Sequence, residues 1–235
     1  MKHGRLIAAA ATTGMIGGSL LLGTPAASAA PDTAKAKGKA GKTVALEANL
    51  TGLNFSGVIG TATATVKNQK IENISVTATG LKPNAPHAIH IHFGEEARQE
   101  CPTMAEATNT RFDGTPRLNT ADGLPAYGPI VVSLTTTGDT TPASGLALAR
   151  FPVSKGGMLS YSRDKIEFTD VADVGTAKSI ADGIRAGEGV LVVHGNDYNS
   201  NGRYDVEAAG NSELDPSLPA EGTDPTACGV LKHSH

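Results

Sequence analysis

The stretch His87-Ala-Ile-His90-Ile-His92-Phe-Gly94 decides the fold, because it reads as a strand that carries two histidines on one face. Side chains at i and i+2 of a strand point to the same side, so His90 and His92 can converge on one ion. His87 is separated from His90 by an odd number of residues and is expected to face the other side. The apolar neighbours favour a strand. Two imidazoles here suit copper or zinc, and the alternative is a pair of half-buried histidines bonded to the backbone.

Two later segments strengthen the metal-site interpretation. A run of Val-Leu-Val-Val that ends in His194 has the composition of a buried strand, and Cys228 lies in a short Thr-Ala-Cys-Gly-Val-Leu strand. The other cysteine, Cys101, follows His92 by nine residues. These segments bring a third histidine and two cysteines into the pattern.

In this order and combination, the segments resemble the copper/zinc superoxide dismutase family, from about Thr43 onward. That family has a His-x-x-His-x-His strand, a cysteine nine residues later, a later Val-Val-His and a closing Ala-Cys-Gly-Val. The resemblance implies that His90, His92 and His194 are copper ligands and form the catalytic centre for superoxide. It also implies that His87 contacts the copper ligands but does not itself bind copper.

The resemblance fails at the zinc site. The family's histidine that bridges copper and zinc corresponds to Ala107, and no histidine occurs between His92 and His194. Asp113 and Asp122 are the aspartates of residues 94–128, the stretch that corresponds to the zinc-binding loop, and two carboxylates alone make a poor zinc site. The resemblance therefore implies copper as the cofactor, without zinc.

The resemblance also fails at the family's anion-guiding arginine, which lies three residues before the second disulfide cysteine. Pro225 stands at that position here. Arg98, Arg111 and Arg203 are loop residues that are candidates to replace it. We therefore expect copper binding with superoxide turnover well below the usual level of the family.

Two other classes of protein remain as alternatives. The chain is a non-catalytic copper-binding or structural β-domain of the cell envelope if the missing residues abolish the chemistry. The His-Ile-His-x-Gly text and the later Gly128-Pro-Ile-Val-Val-Ser-Leu134 also resemble chordin-type (CHRD) modules. A hydrolase has little support, because the sequence contains no Gly-x-Ser-x-Gly elbow and no phosphate-binding glycine loop.

The N-terminus predicts export. Lys2 and Arg5 precede an apolar stretch, Leu6–Gly23, and Ala27-Ser-Ala29 is a signal-peptidase type of cleavage site, so residues 1–29 read as a secretory signal peptide. Loss of the two basic residues takes the formal net charge from −3 to −5, which argues against nucleic acid as a partner. No other segment has the length needed to cross a bilayer. We therefore expect a secreted or cell-envelope protein.

The rest of the chain divides into a leader and one domain. Residues 30–42 are rich in Ala, Lys and Gly and are predicted to be disordered, and residues 43–235 suffice for one domain with its own core. Two cysteines in an exported protein most simply form one disulfide, and the family resemblance implies the Cys101–Cys228 pair.

The domain is predicted to be all-β, a Greek-key β-sandwich or flattened barrel of about eight antiparallel strands with two long loops. One long loop is expected at residues 94–128, and the second runs from the His194 strand to Asp224. A single helix is expected at Thr176–Ala186, capped by Asp173 and stopped by Gly187. The other strands are expected at residues 43–50, 58–66, 71–79, 129–135 and 145–151.

The second long loop contains a partial calcium-binding pattern. Asp197, Asn199, Asn201 and Asp205 place oxygen ligands at positions 1, 3, 5 and 9 of a calcium loop, but position 12 is Ala208. Two interpretations stay open, a calcium site and a polar turn.

Overall fold

The computed structural model describes residues 42–234. The predicted signal peptide and nearly all of the predicted leader lie outside the described residues. The strands are β1 (Thr43–Gly52), β2 (Ile59–Lys67), β3 (Lys70–Thr79), β4 (Ile89–His92), β5 (Asn109–Thr110), β6 (Pro116–Arg117), β7 (Ile130–Ser133), β8 (Leu159–Glu167), β9 (Val190–His194), β10 (Pro225–Val230) and β11 (Lys232–His233). The α-helices are α1 (Thr120–Tyr127), α2 (Ala177–Ala186) and α3 (Ala220–Thr223).

Within residues 42–234, eight of these strands form one antiparallel sheet in the order β7-β4-β9-β10-β1-β2-β3-β8, with β11 added alongside β1. The sheet curls into a flattened half-barrel, and neighbours that are distant in sequence, such as β4 and β9, give it Greek-key connections. The predicted all-β flattened barrel is therefore confirmed. Strands β5 and β6 form a separate small ribbon outside it.

Period-two alternation builds the long strands of the sheet. In β1, Leu46, Ala48 and Leu50 are buried while the residues between them are exposed. The same pattern continues in β2 and β3, so one face of the sheet is apolar and closes on the core. Burial of that face is the main favourable contribution to folding.

Side chains of β8 join the two ends of the curled sheet. The Tyr161 hydroxyl donates to the carbonyl oxygen of Thr135 at 3.1 Å, just beyond the end of β7. The Arg163 guanidinium donates to the same carbonyl at 2.6 Å. Side-chain hydrogen bonds thus connect the ends of the half-barrel where no strand-to-strand ladder does so in the described part of the chain.

One predicted strand is wrong, and the structure adds one long strand, β8, and three two-residue strands, β5, β6 and β11, to the predicted ones. Residues 145–151 form turns that include a 3₁₀ segment at Leu148–Arg150, with the Phe151 N–H bonded to the carbonyl of Leu148. These local bonds occupy the groups that a strand would offer to a neighbour. Strand β8 is hard to predict because the Arg-Asp-Lys at its centre obscures its alternation in the sequence.

The helices also differ from expectation. Helix α1 lies within the predicted loop 94–128, where Asn119 caps it by accepting from the Asp122 N–H and the Asp122 carboxylate reaches back to the Asn119 N–H. Helix α2 is confirmed, but its cap is Thr176 and not Asp173, because the Thr176 hydroxyl accepts from the Ser179 N–H. Gly187 ends α2 in the left-handed conformation, with φ of 88°, as expected.

The predicted disulfide is present, and it fastens the long loop to the sheet. Cys101 and Cys228 are joined, with their Cα atoms 5.7 Å apart. Around the bond lies a second apolar cluster on the outer face of β9 and β10, made of Leu53, Leu118, Tyr127, Val190, Val192 and Cys228. Over residues 42–234, no helix is long and apolar enough to span a membrane.

We expect the double variant Cys101→Ala/Cys228→Ala to lose about 2–5 kcal/mol of unfolding free energy, because the bond closes a loop with a sequence separation of 127 residues in the unfolded chain. Urea unfolding followed by circular dichroism measures the loss. Wild-type protein treated with a thiol reductant is the control, and it should lose a similar amount. Unchanged unfolding midpoints in both samples would show that the bond does not stabilise the fold.

Candidate metal centre

Strand pairing brings the predicted histidines to one face of the sheet. Strands β4 and β9 are antiparallel, with His90 opposite Val192 and His92 opposite Val190. Opposed residues point to the same face, and His194 lies two residues beyond Val192, so all three imidazoles share that face. It is the outer face, opposite the main core, and the loops cover it.

The three imidazoles form a compact donor set. His90, His92 and His194 each offer one ring nitrogen, and these nitrogens lie within 4.8 Å of one another. It is the one group of at least three His, Cys, Asp or Glu side chains in residues 42–234 with this geometry. A cluster with this spacing can coordinate a single metal ion.

Backbone carbonyls orient each ring. Nε2 of His90 lies 3.1 Å from the carbonyl oxygen of Gly145, Nδ1 of His92 lies 2.7 Å from that of Gly128, and Nδ1 of His194 lies 2.7 Å from that of Thr223. A carbonyl oxygen can only accept, so each of these ring nitrogens carries the proton. The opposite nitrogen of each neutral ring therefore keeps its lone pair.

The remaining nitrogens have no partner in the protein. Nδ1 of His90, Nε2 of His92 and Nε2 of His194 are fully buried and accept no hydrogen bond from the described residues. Buried polar atoms are nearly always paired, because an unpaired one costs roughly 1–3 kcal/mol. Three unpaired lone pairs in one compact group of rings fit a metal ion with nitrogen ligands.

Burial keeps these rings neutral. Desolvation lowers the pKa of His92 to about 3 and that of His194 to about 4, and it lowers the pKa of His90 well below its usual value. Neutral imidazole is the form that binds a metal, so the site needs no proton release at neutral pH.

His87 lies outside the three-histidine group, as the strand pattern predicts. Its ring is buried between two carbonyl oxygens, with Nδ1 at 2.9 Å from that of His194 and Nε2 at 3.2 Å from that of Lys82. Desolvation lowers the pKa of His87, so the ring is neutral and donates one proton. His87 thus contacts the backbone of a candidate ligand and not the shared centre.

Two aromatic rings pack against the candidate ligands. Tyr127, at the end of α1, lies with its ring centroid 4.4 Å from that of His92, and Phe151 lies 5.3 Å from His90. Gly123 makes room for Tyr127, because a Cβ at that position would overlap the tyrosine ring. The histidine motif contains no signal for either ring, since both come from segments that sequence reasoning treated as a loop and as a strand.

The stretch that corresponds to the family's zinc loop is held by packing and helix capping. Ala107, at the position of the bridging histidine, is half-buried and packs beside Met104 against the second apolar cluster. The Asp122 carboxylate caps α1 and accepts from Thr108, and the Asp113 carboxylate accepts from the backbone of its own turn. The two carboxylates are therefore engaged in local structure.

The three candidate guiding arginines are engaged elsewhere. Arg98 pairs with Glu100 and Glu106, Arg111 donates to the carbonyl of Asn54, and Arg203 pairs with Asp205 and Glu207. Pro225, at the position of the family's arginine, lies opposite His194 in the sheet. Asp224 beside it is buried and pairs with Arg117 at 3.2 Å, and burial raises the pKa of Asp224 to about 7 against that attraction.

A cavity of about 360 Å³ borders His90 and His194. Its walls are mainly apolar and include Ile130, Pro142, Ala143, Leu146, Leu148 and Leu214. Within the described chain, no Lys, Arg, Asp or Glu lines it. The candidate metal centre therefore lies beside an uncharged pocket.

The predicted calcium ligands lie together in the second long loop. The Asp197 carboxylate accepts from loop N–H groups at 2.8–3.1 Å, and the Asn199 side chain accepts from the Asn201 N–H at 3.2 Å. The Asn201 amide donates to Asp205 at 2.6 Å, and Asp205 also pairs with Arg203. These bonds order the loop by themselves, and calcium binding stays a prediction.

No protein-family model matches the chain, and no curated protein matches it either. The likeness to superoxide dismutases therefore depends on the motifs quoted above. The three-histidine group depends on the geometry alone, and it does not require the likeness to be correct.

We expect the metal-free protein to become less stable as the pH falls from 7 to 5. The unfolded histidines take up protons near pH 6.5, whereas the folded ones stay neutral down to about pH 4, so acid favours the unfolded chain. The expected loss is about 2 kcal/mol for each buried histidine, because the folded rings are already neutral and only the unfolded chain gains protons over this range. Urea unfolding at pH 7, 6 and 5 measures this slope. His233→Gln, at an exposed site, should keep the slope, and His92→Gln should reduce it.

Gly123→Ala should weaken metal binding by about 10–100-fold, because Tyr127 must move and its contact with His92 is lost. Ala121→Gly is the matched control, since it weakens the same helix by about 1 kcal/mol at an exposed position. Competition with a chromophoric chelator measures both affinities. Equal affinities in the two variants would show that Tyr127 does not position His92.

Proposed function

We propose that the protein is an exported copper protein in which His90, His92 and His194 bind one copper ion. The observation that carries the proposal is the convergence of three buried, unpaired ring nitrogens within 4.8 Å. Imidazole ligands suit copper in both of its common oxidation states, and the motif likeness to superoxide dismutases favours copper over other metals that imidazole binds. The disulfide is compatible with export, because such bonds persist in oxidising compartments.

We propose further that the loaded protein dismutates superoxide slowly. Bound copper would supply a one-electron couple for the reaction. The histidine rings would hold it in a fixed geometry, since each ring is bonded to a carbonyl, and the aromatic side chains of Tyr127 and Phe151 would keep the ligands from turning.

Two features of the chain support a low rate. Ala107 has no group that can carry a proton to the reacting oxygen, so protons must come from water or from another group. The cavity beside His90 and His194 has no cationic lining residue to attract an anion, whereas electrostatic steering raises the association rates of charged ligands by 10-fold or more.

The second candidate is a non-catalytic copper-binding or structural β-domain of the cell envelope. The uncharged cavity favours it, because a superoxide site is expected to attract an anion. Both candidates require the same three ligands, and the rate of the loaded protein separates them.

Wild-type protein should bind one copper ion per chain, with nitrogen couplings from the histidines in the electron paramagnetic resonance spectrum. Replacement of His90, His92 or His194 by Gln should lower the copper affinity by 100-fold or more, since one of three ligands is lost. His233→Gln is the matched control, because His233 is exposed and bonds to the carbonyl of Arg185. Full copper content in the three site variants would contradict the assignment.

Superoxide decay, measured by pulse radiolysis with copper quantified in the same sample, tests the reaction. The slow-dismutase proposal expects decay that is proportional to bound copper, falls with ionic strength only weakly, and disappears in His194→Gln. Stoichiometric copper without decay would instead establish the non-catalytic candidate. A fast rate that survives His194→Gln would place the chemistry elsewhere.

A further inference from the structure

We propose that the cavity beside the three histidines is a binding site for a small uncharged organic molecule with an aromatic ring or an equivalent apolar body. The proposal deepens the proposed function. It rests on that function in one respect, because it places this molecule next to the copper. Its basis is the size, the walls and the charge of the cavity.

The size of the cavity suits one substituted ring. Its volume is about 360 Å³, whereas an engineered apolar cavity of about 150 Å³ holds benzene. Superoxide is a diatomic anion and would occupy a small part of this space. Binding pockets for small molecules begin at roughly 300 Å³ and are lined mainly by apolar side chains, as this one is.

The walls suit an apolar body. Ile130 comes from β7, Pro142 and Leu148 come from the turns between β7 and β8, and Leu214 comes from the second long loop. Leu146 lies at the mouth, where its side chain is 39 % exposed. A ring placed among these side chains would cover apolar surface that otherwise faces water, at about 25 cal/mol for each Å² removed from water.

The charge of the cavity selects against ionised ligands. An anion that enters loses hydration, and no Lys or Arg among the lining residues of the described chain replaces it. A bound metal ion is itself a charge that attracts anions, so the contribution of the walls is isolated only when metal-free and copper-loaded protein are compared.

Two hydroxyl-bearing residues of the lining are candidates for a polar contact with the ligand. Thr120 and Thr223 line the cavity, and their hydroxyls donate to the carbonyl of Thr223 and to Ser212, at 2.9 Å and 2.7 Å. With their protons used in this way, the hydroxyl oxygens are left as acceptors. A neutral ligand with one hydroxyl donor fits these acceptors, and a carboxylate does not.

Benzyl alcohol and benzoate form a matched pair of probes, because they share a ring and differ in charge. Isothermal titration of the mature chain, copper-loaded and metal-free, should show that metal-free protein binds benzyl alcohol at least 10-fold more tightly than benzoate. In copper-loaded protein, benzyl alcohol should also perturb the paramagnetic resonance spectrum of the metal.

Two variants at exposed positions of the mouth test the location. Ala143→Phe fills the entrance and should weaken benzyl alcohol binding at least 10-fold with copper content unchanged. Leu146→Arg adds a cation and should strengthen benzoate binding at least several-fold, whereas the matched control Leu146→Met should leave both probes unchanged.

The proposal is overturned if metal-free protein binds benzoate as tightly as benzyl alcohol, or if Ala143→Phe leaves benzyl alcohol binding unchanged. These failures are distinct from a failure of the proposed function, which would appear as absent copper in the wild type. If the protein binds benzyl alcohol but takes up no copper, the cavity proposal is supported and the copper site is contradicted.

A larger groove of about 690 Å³ on the outer face of β2, β3 and β8 does not support a comparable argument. It borders Ile59, Val153 and Met158 but none of the site histidines, and its one charged lining residue is Lys155. Nothing else in the described chain indicates what would cover it.

Discussion

The candidate centre depends on three hydrogen bonds from imidazole N–H groups to the carbonyls of Gly128, Gly145 and Thr223. Each bond fixes both the orientation of a ring and the nitrogen that keeps a lone pair. The three carbonyls lie outside the strands: that of Gly128 follows α1, that of Gly145 lies in the turns between β7 and β8, and that of Thr223 ends α3. The disulfide, helix α1 and the second apolar cluster hold the segment that ends at Gly128, so they act on the site indirectly.

The shared face of His90 and His92 could be predicted because strand geometry is regular, whereas the inclusion of His194 in the group followed from the family resemblance. The i, i+2 spacing places His90 and His92 on one face, and the apolar run before His194 marks a buried strand that can pair with theirs. The cavity could not be predicted, since its walls come from the turns at residues 142–148 and from Leu214. Those turns are stabilised by local backbone bonds, and their apolar residues suggested a strand.

The contrast between regular strand patterns and irregular sequence also explains the errors in the predicted fold. Strands β1 to β3 alternate cleanly and were predicted within a few residues, whereas β8 contains Arg163 and Asp164 at its centre and was missed. Arg163 contributes to the sheet because its guanidinium donates a hydrogen bond to the carbonyl of Thr135 across the opening of the half-barrel. Periodicity identifies the apolar side chains of a strand. It does not show that a charged side chain will donate a hydrogen bond to a carbonyl in the folded protein.

The two departures from the superoxide dismutase motifs, at Ala107 and Pro225, have the same consequence for the site. Neither side chain can carry a proton or a positive charge, and the loop around Ala107 is held by apolar packing and the disulfide. The remaining site combines buried neutral nitrogens with an uncharged cavity, which is a poor environment for an anion and a good one for a neutral molecule. If copper binds here, its own charge is the main electrostatic attraction that remains. The identity of the molecule that reaches the metal then depends more on the apolar walls than on the long-range field of the protein.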